Sequence, residues 1–160
     1  EDAFEVYKQG DVTSLFDRFG VLNERELSAR YNTFQSNYRT ELIIEATTLV
    51  ALLQGNVIPS ASRTAQQLAA TVAAGDQAGF PIKELRKTTD TLFTTIEELG
   101  KALNELKNEI DRAEDDESVL IKDGIKPKLA EARKLADILE TLTSESDWSL
   151  PRYRDMLLIR

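Results

Sequence analysis

The sequence has no cysteine and no histidine. Without cysteine, disulfides and thiolate metal sites are excluded. Without histidine, the commonest general base and the commonest transition-metal ligand are missing. Proline and glycine are scarce, at four and seven among 160 residues. So few chain breakers mean few turns and long helices. Positive charge is also short: 20 Lys and Arg stand against 28 Asp and Glu, a net charge of −8. That balance repels a nucleic-acid phosphate backbone and an anionic membrane surface, and no basic stripe with interleaved aromatics offsets it. The longest apolar run, Leu42 to Leu53, is broken by Glu45 and two threonines, short of the ~20 residues of a membrane span. No secretory signal is evident, so the expected compartment is cytoplasmic. The sequence does not begin with methionine, so a processed or cut-out segment with further sequence upstream is expected.

What is present is helical patterning. With 41% apolar and 30% charged residues, a single helical domain over 1–160 is the default. A chain of this size can bury about 70% of its unfolded surface. In the N-terminal segment, 1–22, Phe4, Val6 and Tyr7 fit a short helix or a strand that Gly10 ends. Asp11 then caps a short helix through Phe19, with Leu15, Phe16 and Phe19 on one face, and Gly20 suits the position just past its end.

The chain is organised around residues 23–74, where the pattern predicts a long kinked helix. Leu27, Tyr31, Phe34, Tyr38, Leu42, Ala46 and Leu49 recur at steps of three or four, which places them on one side of a helix. Asn23 and Glu26 fit a capping box at its start. From Leu42 to Leu53 the helix is apolar nearly all round, so other elements should enclose it. Gly55, Asn56 and Pro59 interrupt it. A proline inside a helix costs about 3 kcal/mol. Two outcomes are open: a kinked continuation to about Ala74, or a turn with a fresh helix from Pro59. The continuation would give an element of about 50 residues and about 75 Å.

Gly75 to Pro81 is the clearest loop. Residues 82–143 predict an antiparallel helical hairpin. Its first arm, 82–113, carries Leu85, Thr89, Leu92, Ile96, Leu99, Leu103, Leu106 and Ile110 at alternating steps of four and three, a heptad seam. That seam could be an oligomer interface or the hairpin's own core, and a partner helix next in sequence favours the core. After an acidic connector, 111–118, the second arm carries Ile121, Ile125, Leu129, Ala132, Leu135, Leu139 and Leu142, with Gly124 and Pro127 kinking or delaying its start. In the tail, 144–160, Trp148, Leu150, Pro151 and Tyr153 are too apolar for a free end. An extended strap anchored by Trp148 is expected. The fold class is all-α.

Candidate chemistry is thin. Glu114, Asp115, Asp116 and Glu117 cluster carboxylates, but a calcium loop needs spaced acids, a central glycine and a distal glutamate. A solvated acidic turn is the expectation. Glu41 and Glu45 near Arg30 and Arg39 fit helix ion pairs better than acid–base work, because no nucleophile or ligand accompanies them. Gly75 and Gly79 have the wrong spacing for a phosphate loop, and no Gly-Lys-Ser/Thr follows. Arg152, Arg154 and Arg160 could meet an acidic partner or form a loose basic end. No catalytic, cofactor-binding or metal residue is assigned.

Two blocks carry a resemblance. Leu15-Phe16-Asp17-Arg18-Phe19-Gly20-Val21, Glu26 to Tyr31, Asn37-Tyr38, Ile44-Glu45-Ala46 and Val57-Ile58-Pro59 resemble the region just after the catalytic domain of type III glutamine synthetases. Leu135 to Glu140, followed by Trp148-Ser149-Leu150-Pro151-Arg152-Tyr153, resembles that family's closing pattern, with Ser149 where a proline is expected. The resemblance implies a parent enzyme that ligates ammonia to glutamate with ATP and Mg²⁺ or Mn²⁺ and assembles into large rings. It implies no cofactor in this chain, because the family's substrate and metal residues lie upstream. The expected partners are the protein's own upstream catalytic domain and neighbouring subunits of a homo-oligomer. The expected role is bracing. A free-standing helical interaction or scaffold module is the alternative, and an enzyme complete within these residues is the least favoured.

Overall fold

In the computed structural model of the protein, residues 2–115 and 123–157 are described. Every regular element among them is helical, as the sparse glycine and proline require. A 3-10 helix, Asp2–Lys8, leads into α1, Gly10–Arg18. Asp11 is not its cap: Gln9 holds that place without a side-chain bond, and Asp11 lies in the first turn. Gly20 closes the helix as expected. Its φ is +63°, its N–H donates to Asp17 O at 2.9 Å, and Val21 N–H donates to Phe16 O at 3.0 Å. This paired closure needs the left-handed conformation that glycine adopts freely.

The long helix begins with α2, Glu24–Leu52. The capping box is present: Glu26 N–H donates to Asn23 Oδ1 and Asn23 N–H to Glu26 Oε2, both at 2.9 Å. The chain then passes through a π-helical segment, Leu53–Val57, directly into α3, Ile58–Ala78. The continuation therefore holds and the separate turn does not. The run is 55 residues, longer than expected. The π segment explains how Pro59 is tolerated. Ile58 N–H already reaches back five residues to Leu53 O, so the wider turn makes room for a ring that would strike the carbonyl four residues earlier.

Helix α4, Lys83–Asp115, returns antiparallel to α3 and α2. At one end Gly75 lies against Ile82; a Cβ there would sit 3.0 Å from the Ile82 side chain. At the other, the Arg39 guanidinium donates to Ala113 O. The acidic connector expected from 111 is helical through Asp115. Helix α5, Ile125–Leu142, is antiparallel to α4: Gly124 lies beside Glu109, and Lys128 pairs with Glu105. The second arm was expected from 118; residues 116–122, including Ile121, Asp116 and Glu117, lie outside the described residues. The tail is less extended than expected. It turns at 144–147 and ends in α6, Tyr153–Leu157, where Arg152 N–H donates to Asp155 Oδ2 at 3.1 Å.

One core runs through the bundle. Leu42, Ala46, Val50, Leu53, Val57 and Ala61 of the long helix meet Leu99, Leu103, Leu106 and Ile110 of α4 and Ile125, Ala132 and Leu139 of α5. The heptad seam is thus internal: Leu92, Leu99, Leu103 and Leu106 have no exposed surface. The expected enclosure of 42–53 is one-sided. Ile44 is 60% exposed and Leu52 42%, because α4 and α5 cover a single face of the rod. By length and composition the Glu24–Ala78 helix could cross a membrane, with an 18-residue window of mean hydropathy 1.5. A core helix of a bundle satisfies the same measure, and the inner face here is core.

Candidate interaction surfaces

Among the described residues, the first four turns of α2 project past the end of α4, since Arg39 already meets Ala113 and α4 is described to Asp115. Short N-terminal elements dress this projection. Phe4 stacks on Phe34 with centroids 5.7 Å apart and meets Tyr38 edge-on at 6.2 Å; Tyr7 lies 5.9 Å from Phe34. Tyr31 OH donates to Glu5 Oε1 at 2.6 Å and accepts from Gln35 Nε2 at 2.8 Å. The Lys8 ammonium sits 4.0 Å over the Tyr31 ring. Tyr31 first, and then Glu5, hold that ammonium above its ordinary value of 10.5. Leu27 is fully enclosed at the base. Helix α1 differs: it buries none of its residues, and Leu15, Phe19 and Val21 at and just past its end are 52%, 71% and 61% exposed.

A second surface is a groove of about 450 Å³ between α2, α5 and the tail. Leu49, Leu53, Leu129, Trp148 and Leu150 line its apolar part, and Glu45, Arg133, Asp137 and Glu140 its polar part. The tail forms one wall because it is latched to α3. Thr64 Oγ1 donates to Asp147 Oδ2 at 2.7 Å, and Arg63 Nη2 donates to Asp147 O at 3.0 Å. Ser144 N–H donates to Thr64 Oγ1 at 3.2 Å. The Ser60 and Ser149 hydroxyls lie 3.1 Å apart, so the serine at the position where a proline was expected has a polar partner. Trp148 packs against the core, and its Nε1, with Thr143 Oγ1, is buried without a hydrogen-bond partner among the described residues.

The residues nominated from sequence do not converge. Glu114 and Asp115 end α4 and are exposed. Glu41 and Arg30 are exposed, Glu45 lies at the groove, and Arg39 turns to the far end of α4. Gly75 and Gly79 serve close packing and a left-handed helix end, with φ +73° at Gly79. Arg152 is tied to Thr143 O at 2.9 Å, while Arg160 and the side chain of Arg154 lie outside the described residues. Among the described residues, no three Asp or Glu side chains gather to hold a metal. Sequence reasoning missed the latch at Ser60, Thr64 and Asp147. Its one local signal was two hydroxyl residues on the otherwise alanine-rich face of α3.

The class is thus an all-α domain with a closed core and apolar surface left open at one end. Comparison with known proteins sharpens this. The family model for the glutamine synthetase C-terminal domain matches residues 1–75, which hold the N-terminal elements, α2 and most of α3. The type-3 glutamine synthetase of Dictyostelium discoideum is 24% identical over 157 residues, covering 91% of this chain and 21% of that protein. A glutamine synthetase of Butyrivibrio fibrisolvens is 24% identical over 167 residues, covering 98% of this chain and 23% of that protein. The resemblance read from the two sequence blocks is supported: residues 1–75 match the glutamine synthetase C-terminal domain model, and both relatives align over most of the chain. The chain spans about a fifth of the length of these relatives. No solved structure matches it.

Proposed function

We propose that this chain is the non-catalytic C-terminal helical domain of a type III glutamine synthetase. It braces the catalytic domain or the contacts between subunits of a homo-oligomer. The carrying observation is that the matched segment, 1–75, includes a short helix end with open apolar residues, Leu15, Phe19 and Val21. The parent reaction is ATP-dependent ligation of ammonia to glutamate, with Mg²⁺ or Mn²⁺ held by the upstream catalytic residues. The proposed compartment is the cytoplasm. Two measurements test this. The isolated 160 residues should show no glutamate-, ammonia- and ATP-dependent phosphate release, and any such turnover refutes the non-catalytic role. Deleting them from the longer polypeptide should lower activity or change particle size by light scattering; an unchanged enzyme on both counts refutes the brace.

A second reading, a free-standing helical scaffold module, draws on the continuous core that the chain builds from its own helices. The coding sequence upstream of Glu1 separates the two. A glutamine synthetase catalytic core in frame favours the first reading, and a start codon immediately before Glu1 favours the second.

A further inference from the structure

We infer that α1 is the docking element for the rest of the polypeptide: Leu15, Phe19 and Val21 close against the catalytic portion of the same longer chain. This rests on the proposed membership of a type III glutamine synthetase. A nine-residue helix is too short to persist on its own hydrogen bonds, and helices of that size are held by packing. Yet α1 buries no residue, and Phe19 is 71% exposed. The adjoining 3-10 helix is the contrast, because its aromatics are already spent on Phe34 and Tyr38. The glycine closure at Gly20 fixes the end of α1 and presents Phe19 and Val21 beside each other without covering either. Exposed Asp11, Asp17 and Arg18 surround this patch with both signs of charge, as a polar rim surrounds an interface core.

The size of the patch decides the occupant. Three side chains fall well short of the roughly 800 Å² per partner of a stable complex between separate proteins. A covalently attached partner needs less, because it stands at an effective concentration in the millimolar range. The relatives supply such a partner in length: this chain covers only 21% and 23% of them.

The experiment is amide hydrogen exchange on the longer polypeptide, with ligase activity measured in parallel. Phe19→Ser and Leu15→Ser each remove an exposed side chain, so neither disturbs the bundle core. Each should speed exchange of the amides of 10–21 at least tenfold. Phe80→Ser, at a 67% exposed position past α3, should change nothing. Exchange of 10–21 within twofold of wild type in both α1 variants overturns the docking. If that happens in an active ligase, the docking falls alone. If the polypeptide has no ligase activity yet the α1 variants lose protection, the enzyme assignment falls, and with it the catalytic portion as the occupant, leaving only contact of α1 with the rest of the polypeptide.

Discussion

The two halves of the long helix solve the same burial problem differently. Past Tyr38 its inner face is matched by a heptad seam on α4 and by α5, and leucines at 99, 103 and 106 have no exposed surface. Before Tyr38, among the described residues, it meets only short elements that pack by aromatic edges and a few polar bonds. A long seam closes the inner face, though Ile44 and Leu52 on the outer face stay exposed. Short elements cannot do the same, so Leu15, Phe19 and Val21 stay open at that end.

The largest expected effect lies on the closed side. Leu103→Ala, at a site with no exposed surface, should cost roughly 3 kcal/mol by lost transfer and cavity formation. Denaturant unfolding followed by far-UV circular dichroism would measure it, and a loss under 1 kcal/mol would mean the seam is not the core. Next comes the tail. Trp148→Ala should open 144–157 to protease several-fold faster while the bundle melts nearly where it did. Unchanged cleavage would remove Trp148 as the anchor. Trp148→Phe should be far milder, since it removes a buried N–H with no partner among the described residues as well as some packing area. On the open side, Asn23→Ala deletes one half of the capping box and should cost about 1 kcal/mol, read as a lowered melting temperature.

The smallest effect is electrostatic. Hydrogen bonds to Glu105 first, and then Glu131, raise the Lys128 ammonium above its ordinary 10.5. A raised cation stabilises fully below its unfolded value and loses that contribution as pH rises through its folded value. A Lys128→Met variant should therefore differ slightly from wild type at neutral pH and converge on it above that range. Because the pair is exposed, the difference should be small and should fade with salt.

Periodicity was a good guide wherever both partners of a contact carry it. Leu99, Leu103 and Leu106 announced an internal seam because a second helix with its own stripe follows a few residues later. The same logic is silent at Leu15 and Phe19. A helical apolar face looks identical whether this chain or another covers it. The run 42–53 misled for a related reason: hydrophobicity on all sides does not say how many neighbours are available. The latch was illegible because Ser60 and Ser149 stand 89 residues apart and neither pattern is apolar. The interruption at Gly55 to Pro59 allowed two outcomes by composition, and the five-residue turn between α2 and α3 decided it.

That turn also sets a rotational offset. Each residue added to or removed from a helix changes the azimuth of everything beyond it by about 100°. Deleting Gly55 alone would turn the π turn into an ordinary α turn: Ala61 and Ala65 would keep roughly their azimuth, but the Pro59 ring would meet the carbonyl four residues earlier. An insertion beyond Val57 has no such slack, and would rotate Thr64 and the whole wall that the tail grips.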